Sequence, residues 1–133
     1  MDRYSGDAVA FEGGSFRENA AGKGLYHVMP VIGLKRLAQR YEYGQDKYEK
    51  SDAYKDGIPV SRSFDSAMRH LLDYLDGDNS EDHLAACVWN CFTIMEMEVK
   101  NTKWQDLPSR KRFKGKCSTY PRYQKPAPKE EPK

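Results

Sequence analysis

What the sequence lacks narrows it first. None of its 133 residues fall in an apolar run near the roughly 20 needed to cross a bilayer, and no signal-peptide core follows the start. The expectation is a cytoplasmic chain without membrane contact. Cysteine is scarce: Cys87, Cys91 and Cys117 make an odd set. The first two stand four apart on one predicted helix, where side chains are neighbours but disulfide geometry is poor. Reduced cysteines of a cytosolic protein are therefore expected. A zinc site built on them would need more ligands than the nearby sequence offers. No stretch carries a convincing strand pattern, which leaves an all-α chain.

Net charge is small, +2, but unevenly distributed. Residues 1–99 carry 11 Lys and Arg against 17 Asp and Glu, whereas residues 100–133 carry 11 against 3. An acidic body is a poor nucleic-acid surface, although it can hold divalent cations that in turn hold phosphates. The basic tail could touch nucleic acid or simply keep the chain soluble.

The chain divides into an irregular N-terminal arm (1–30), a helical domain (31–107) and a basic, disordered tail (108–133). The arm's GGSFRENAAGKG (13–24) has glycines and basic groups but not the context or spacing of a Walker loop. One helix is predicted to start after Pro30 and run to about Glu49, with Leu34, Leu37, Ala38, Tyr41, Gln45 and Tyr48 inward. A second runs from about Ser63 to Leu75 with Phe64, Ala67, Met68, Leu71, Leu72 and Leu75 inward, and Gly77 closes it. A third starts from a cap at Asn79 or Ser80 and reaches about Lys100. Its inward side is Leu84, Cys87, Val88, Cys91, Ile94, Met95 and Met97 or Glu98. Such helices make a small bundle of three to four, and below about 80 ordered residues one core is marginal. A homo-oligomer, dimer or tetramer, is expected to complete it.

Several polar groups sit where a bundle has little room for them. His83 and Asn90 are seven apart, within about 20° of one direction on the third helix. An imidazole and an amide so placed can bind a base edge, a phosphate or a metal-bound water, or serve as a cap and a core asparagine. Asp73, Asp76, Asp78, Glu81 and Asp82 crowd five carboxylates into ten residues. Helix capping explains Glu81 and Asp82. Asp73 and Asp76 lie at a helix C-terminus, where negative charge is unfavourable, so a cation or a basic segment should sit nearby. Arg62, Asp65 and Arg69 form an i, i+3, i+7 ladder of the kind usually solvated, with His70 on the other flank. Glu42 stands at the edge of the first helix's stripe.

The blocks GKGLYHVMP, LKRLAQRYEYGQDKY, GIPVSRSFDSAMRHLLDYLDGD and EDHLAACVWN, in this order over residues 16 to 95, resemble a phage-borne family of dATP/dGTP diphosphohydrolases (N-terminal domain), relatives of the MazG-type nucleotide pyrophosphohydrolases. The resemblance implies an all-α oligomer that converts a purine dNTP and water to dNMP and pyrophosphate with Mg²⁺ or Mn²⁺. It further implies Glu42, Asp65 and Asp82 as metal ligands and His70 or His83 as acceptor of the water's proton. Lys23, Lys47, Arg62 and Arg69 would bind phosphate, with Trp89 stacking on the purine and Asn90 reading its edge. The paired E-x-x-E/D signature of MazG proteins is not cleanly present. Its nearest local forms are Asp46-x-x-Glu49, Asp73-x-x-Asp76 and Asp78-x-x-Glu81. A second class of function, a non-enzymatic nucleotide- or nucleic-acid-binding protein, draws on the tail SRKRFKGKCSTYPRYQK, where cations alternate with Phe113, Tyr120 and Tyr123.

Overall fold

A computed structural model of the chain describes residues 8–48, 56–111 and 125–128. The chain separates into two units, Met1–Val28 with Pro121–Lys133, and Met29–Tyr120. In the first, β1 (Val9–Ala10) and β2 (Phe16–Arg17) pair antiparallel, Val9 opposite Arg17 and Ala10 opposite Phe16. The tight return between them uses Gly14 at φ +90°, a conformation that glycine adopts without a Cβ penalty. This short ladder corrects the expectation of no strand at all. Two residues per strand fall below what periodicity can reveal. A 3-10 turn covers Tyr26–Val28.

The second unit is helical: α1 (Val31–Tyr48), α2 (Val60–Leu75), α3 (His83–Lys100), a 3-10 turn (Thr102–Trp104) and α4 (Pro108–Lys111). The chain is thus a small all-α bundle with a minimal sheet. Among the described residues, no helix is long and apolar enough to cross a membrane. The basic, aromatic part of the tail, 112–124, and Cys117 within it lie outside the described residues.

The helix ends follow local chemistry, with one long-range exception. α2 begins three residues before the predicted Ser63, because its first turn is capped from 45 residues away. The Asp106 carboxylate accepts from the Ser61 backbone N–H at 2.8 Å and from the Ser61 hydroxyl at 2.5 Å. A segment reaching back this way is invisible to a local reading of the sequence. The same return lays Trp104 on Gly57, where an added Cβ would collide with the indole Nε1. Gly77, at φ +86°, closes α2 as expected. α3 starts later than Asn79 or Ser80: Asp82 is its cap, accepting from the Ala85 N–H at 3.1 Å.

The packing departs from the expected stripes. α3 packs against both α2 and α1. On α2 the buried side chains are Val60, Ser63 and Ala67, while Phe64, Met68, Leu71, Leu72 and Leu75 are 42–80% exposed. On α3 His83, Ala86, Asn90, Thr93 and Met97 are buried at steps of three and four, whereas Val88 and Met95 are exposed. On α1 Leu37 and Gly44 are buried, Tyr41 is half-buried, and Leu34, Ala38 and Gln45 are exposed. The largest side chains therefore do not face the seam. Small ones do, and they let helix axes approach closely. The polar atoms this buries are paired: Asn90 Nδ2 donates to the Ala86 carbonyl at 2.9 Å and to Ser66 Oγ at 3.2 Å, and the Thr93 hydroxyl donates to the Trp89 carbonyl at 3.2 Å. Cys87 and Cys91 are free thiols, and burial pushes that of Cys87 up.

A seam of small residues has no room for growth. Ala86→Leu, at 1% exposure, should lower unfolding free energy by about 1–3 kcal/mol in a urea titration. Asp106→Ala should cost about 1 kcal/mol through the lost cap of α2.

Candidate functional site

The turn between α2 and α3, residues 76–82, folds the acid-rich stretch back over the end of α2. This brings the first residue of α3, His83, against His70 on α2. Their Nδ1 atoms are 2.9 Å apart, and the ring centroids are 5.2 Å apart at 42°. His83 is only 4% exposed, so both of its nitrogens need partners. The second partner is Asp78, whose Oδ2 lies 2.5 Å from His83 Nε2. Asp78 also accepts from the Ser80 hydroxyl at 2.7 Å and the Ser80 N–H at 3.3 Å. The Ser80 hydroxyl first, and then His83, hold its carboxyl below the usual carboxylate range.

Asp78 is ionised and only accepts, so a neutral His83 ring carries its hydrogen on Nε2 and presents a lone pair at Nδ1. His70 then donates from Nδ1. Glu81 Oε1 lies 3.4 Å from the same His70 nitrogen and 3.3 Å from Arg40 Nη1. Burial lowers the His70 pKa, against an opposing pull from Glu81, and keeps the ring neutral at neutral pH.

α1 is tied to this turn by two arginines. Arg40 meets Glu81, and Arg36 holds Asp82 in a two-point contact, Nε to Oδ2 at 2.8 Å and Nη2 to Oδ1 at 2.6 Å. The Arg36 contact brings the Asp82 pKa down to about 2. Asp82 thereby does two jobs, capping α3 and anchoring α1. Arg36 and Arg40 are thus the positive partners of Asp82 and Glu81, whereas the acids for which such a partner was expected are Asp73 and Asp76.

The predicted site residues separate into those the fold gathers and those it does not. His70 and His83 are in contact. Glu42 and Asp65 are exposed on α1 and α2, as are Lys47, Arg62 and Arg69. Lys47 Nζ stands 5.8 Å from the Tyr43 ring centroid, and the Arg40 guanidinium 4.6 Å from it. Lys23 belongs to the other unit, where it pairs with Glu18. Trp89 is half-buried with its ring 6.1 Å from that of Tyr41, and Asn90 is buried in the seam. Two sets of donor atoms converge within 4.8 Å of one another: His70, Glu81 and His83, and Asp73, Asp78 and His83. Among the described residues, no such set includes Glu42, Asp65 or Asp82. The acids in those two sets are the other members of the turn's cluster, Asp73, Asp78 and Glu81. Arg36 and Arg40 went unsingled in the sequence, although their i, i+4 spacing on α1 opposite an acidic turn was the available signal.

No curated protein and no solved structure matches the chain. A family match is found, however, and it spans α1, α2, the acidic turn and α3 together. Residues 14–107 match the family described as dATP/dGTP diphosphohydrolase, N-terminal, and the chain belongs to that family.

Proposed function

We propose that this chain hydrolyses purine deoxynucleoside triphosphates, dATP or dGTP, to the monophosphate and pyrophosphate in the cytoplasm, with a divalent cation held at the α2–α3 turn. The observation that carries the proposal is the match of residues 14–107 to a family whose description names this diphosphohydrolase chemistry. The centre formed by His70, His83, Asp73, Asp78 and Glu81 lies wholly inside that span.

In the reaction, a water oxygen bonds to the α-phosphorus and the bond to the bridging oxygen breaks. Pyrophosphate leaves with the electron pair, and the water's proton passes to the cluster of carboxylates and imidazoles. The turn offers oxygen donors for a divalent cation: Asp73 and Asp78 meet beside His83, and Glu81 meets His70 and His83. Mg²⁺ or Mn²⁺, when bound, supplies charge neutralisation at the triphosphate. Arg62 and Arg69, exposed on α2, and Lys47, exposed on α1, are cationic groups for the phosphates.

The partner in this proposal is a second copy of the chain. Phe64, Met68, Leu71 and Leu75 on α2 and Val88, Phe92, Met95 and Val99 on α3 repeat at steps of four, three and four, and all are exposed. Among the described residues, the buried hydrophobic set is only Leu37, Val60, Ala67, Ala85, Ala86 and Met97. A second copy would cover these apolar positions together with the polar residues between them, towards the roughly 800 Å² that a stable dimer buries on each side.

Screening the eight common nucleoside triphosphates with Mg²⁺ or Mn²⁺ should release pyrophosphate fastest from dATP or dGTP. No pyrophosphate from any of them overturns the proposal. His70→Gln should lower kcat by about 100-fold or more while helicity is kept. Sedimentation should give two or four times the 15.3 kDa chain mass, and Leu71→Glu should shift it towards one. A wild-type monomer at micromolar concentration would contradict the assembly.

A further inference from the structure

The contact between His70 and His83 has a second chemical meaning. Two nitrogens at 2.9 Å and a carboxylate oxygen 3.4 Å from one of them match neighbouring ligands around one ion. Bonds of about 2.0–2.2 Å place adjacent ligand atoms roughly 2.9–3.4 Å apart. Asp78 supplies an independent observation. Its carboxylate accepts from Nε2 of His83 at 2.5 Å, the arrangement that orients a metal-ligating histidine and leaves the other nitrogen's lone pair to the ion. That lone pair is enclosed, since His83 is 4% exposed.

The donor types select the ion. Mg²⁺ prefers oxygen and keeps its waters, whereas imidazole nitrogen suits zinc and its transition-metal neighbours. Arg40 balances the Glu81 charge, and Asp73 and Asp78 leave the surroundings net negative, which favours a dication.

We propose that His70, Glu81 and His83 bind one divalent transition-metal ion of the zinc and cobalt class, with Asp78 positioning His83. Binding replaces the hydrogen bond between the two Nδ1 atoms. The His70 hydrogen moves to Nε2, so both rings stay neutral and no net proton is lost. The site goes beyond the hydrolase proposal, since it is a property of the centre whether or not a nucleotide is turned over.

The test uses the full chain, stripped of metal and titrated with Co²⁺, read by visible absorption, with Zn²⁺ stoichiometry from elemental analysis after dialysis. One ion per chain is expected. Affinity should fall at least about 10-fold to 100-fold in Asp78→Asn and further in His70→Ala and His83→Ala. His27→Ala and the double variant Cys87→Ser/Cys91→Ser should bind as the parent does. Circular dichroism checks folding, and should His83→Ala not fold, His70→Ala and Asp78→Asn still decide. Absence of Co²⁺ binding, or binding unchanged in both those variants, overturns the site. Turnover without Co²⁺ binding would overturn this site and spare the hydrolase proposal, and binding without turnover would do the reverse.

Discussion

The buried imidazole of His83 organises the structure around it. A ring at 4% exposure cannot leave two polar nitrogens unpaired without a penalty of a few kcal/mol. One nitrogen is satisfied by Asp78 from the turn and the other by His70 from α2, so the ring fixes how the turn folds back and where α3 begins. The residues flanking it in sequence then meet α1: Glu81 faces Arg40 and Asp82 faces Arg36. Three consecutive residues, 81 to 83, thus tie α1, α2 and α3 to one point. Exposed ion pairs contribute little singly, but here they orient groups around a buried centre that is itself fully paired.

A seam of small residues makes that centre possible. Ser63 and Ala67 against Ala86, Asn90 and Thr93 let α2 and α3 run close together, which brings His70 and His83 within hydrogen-bonding distance at the end of the seam. Larger aliphatic side chains between the helices would hold the rings apart. The cost is that Phe64, Met68, Leu71, Leu72 and Leu75 remain on the outside of a single copy. Hydrophobic burial within one chain is therefore modest, and in the proposed assembly a second copy would add to it.

The sequence revealed the helices better than their faces. The three long helices and the closing Gly77 follow from periodicity and turn chemistry. The inward face of α2 does not, because an apolar stripe shows only which side avoids water, not what covers it. Phe64 and Leu71 were expected in the core and lie outside it, while Ser63 lies within. The start of α2 depends on Asp106, and no local pattern encodes a cap from so far away. At the site, His70 and His83 stood out as imidazoles beside a crowd of acids, and the family resemblance singled them out as well. Their contact through Nδ1, and the choice of Asp73, Asp78 and Glu81 over Glu42 and Asp65 as convergent carboxylates, needed the three-dimensional turn.

The central claim is that His83 is buried and held at both nitrogens, which makes the α2–α3 turn a built centre rather than a capped helix end. Long-range proton–nitrogen correlation spectra of the imidazoles in the metal-free chain test it most directly. A single tautomer of His83, protonated at Nε2 and bare at Nδ1, with slowed exchange of the Nε2 hydrogen, is the predicted result. Nitrogen shifts averaged between tautomers, with exchange as fast as that of a solvated histidine, would contradict it.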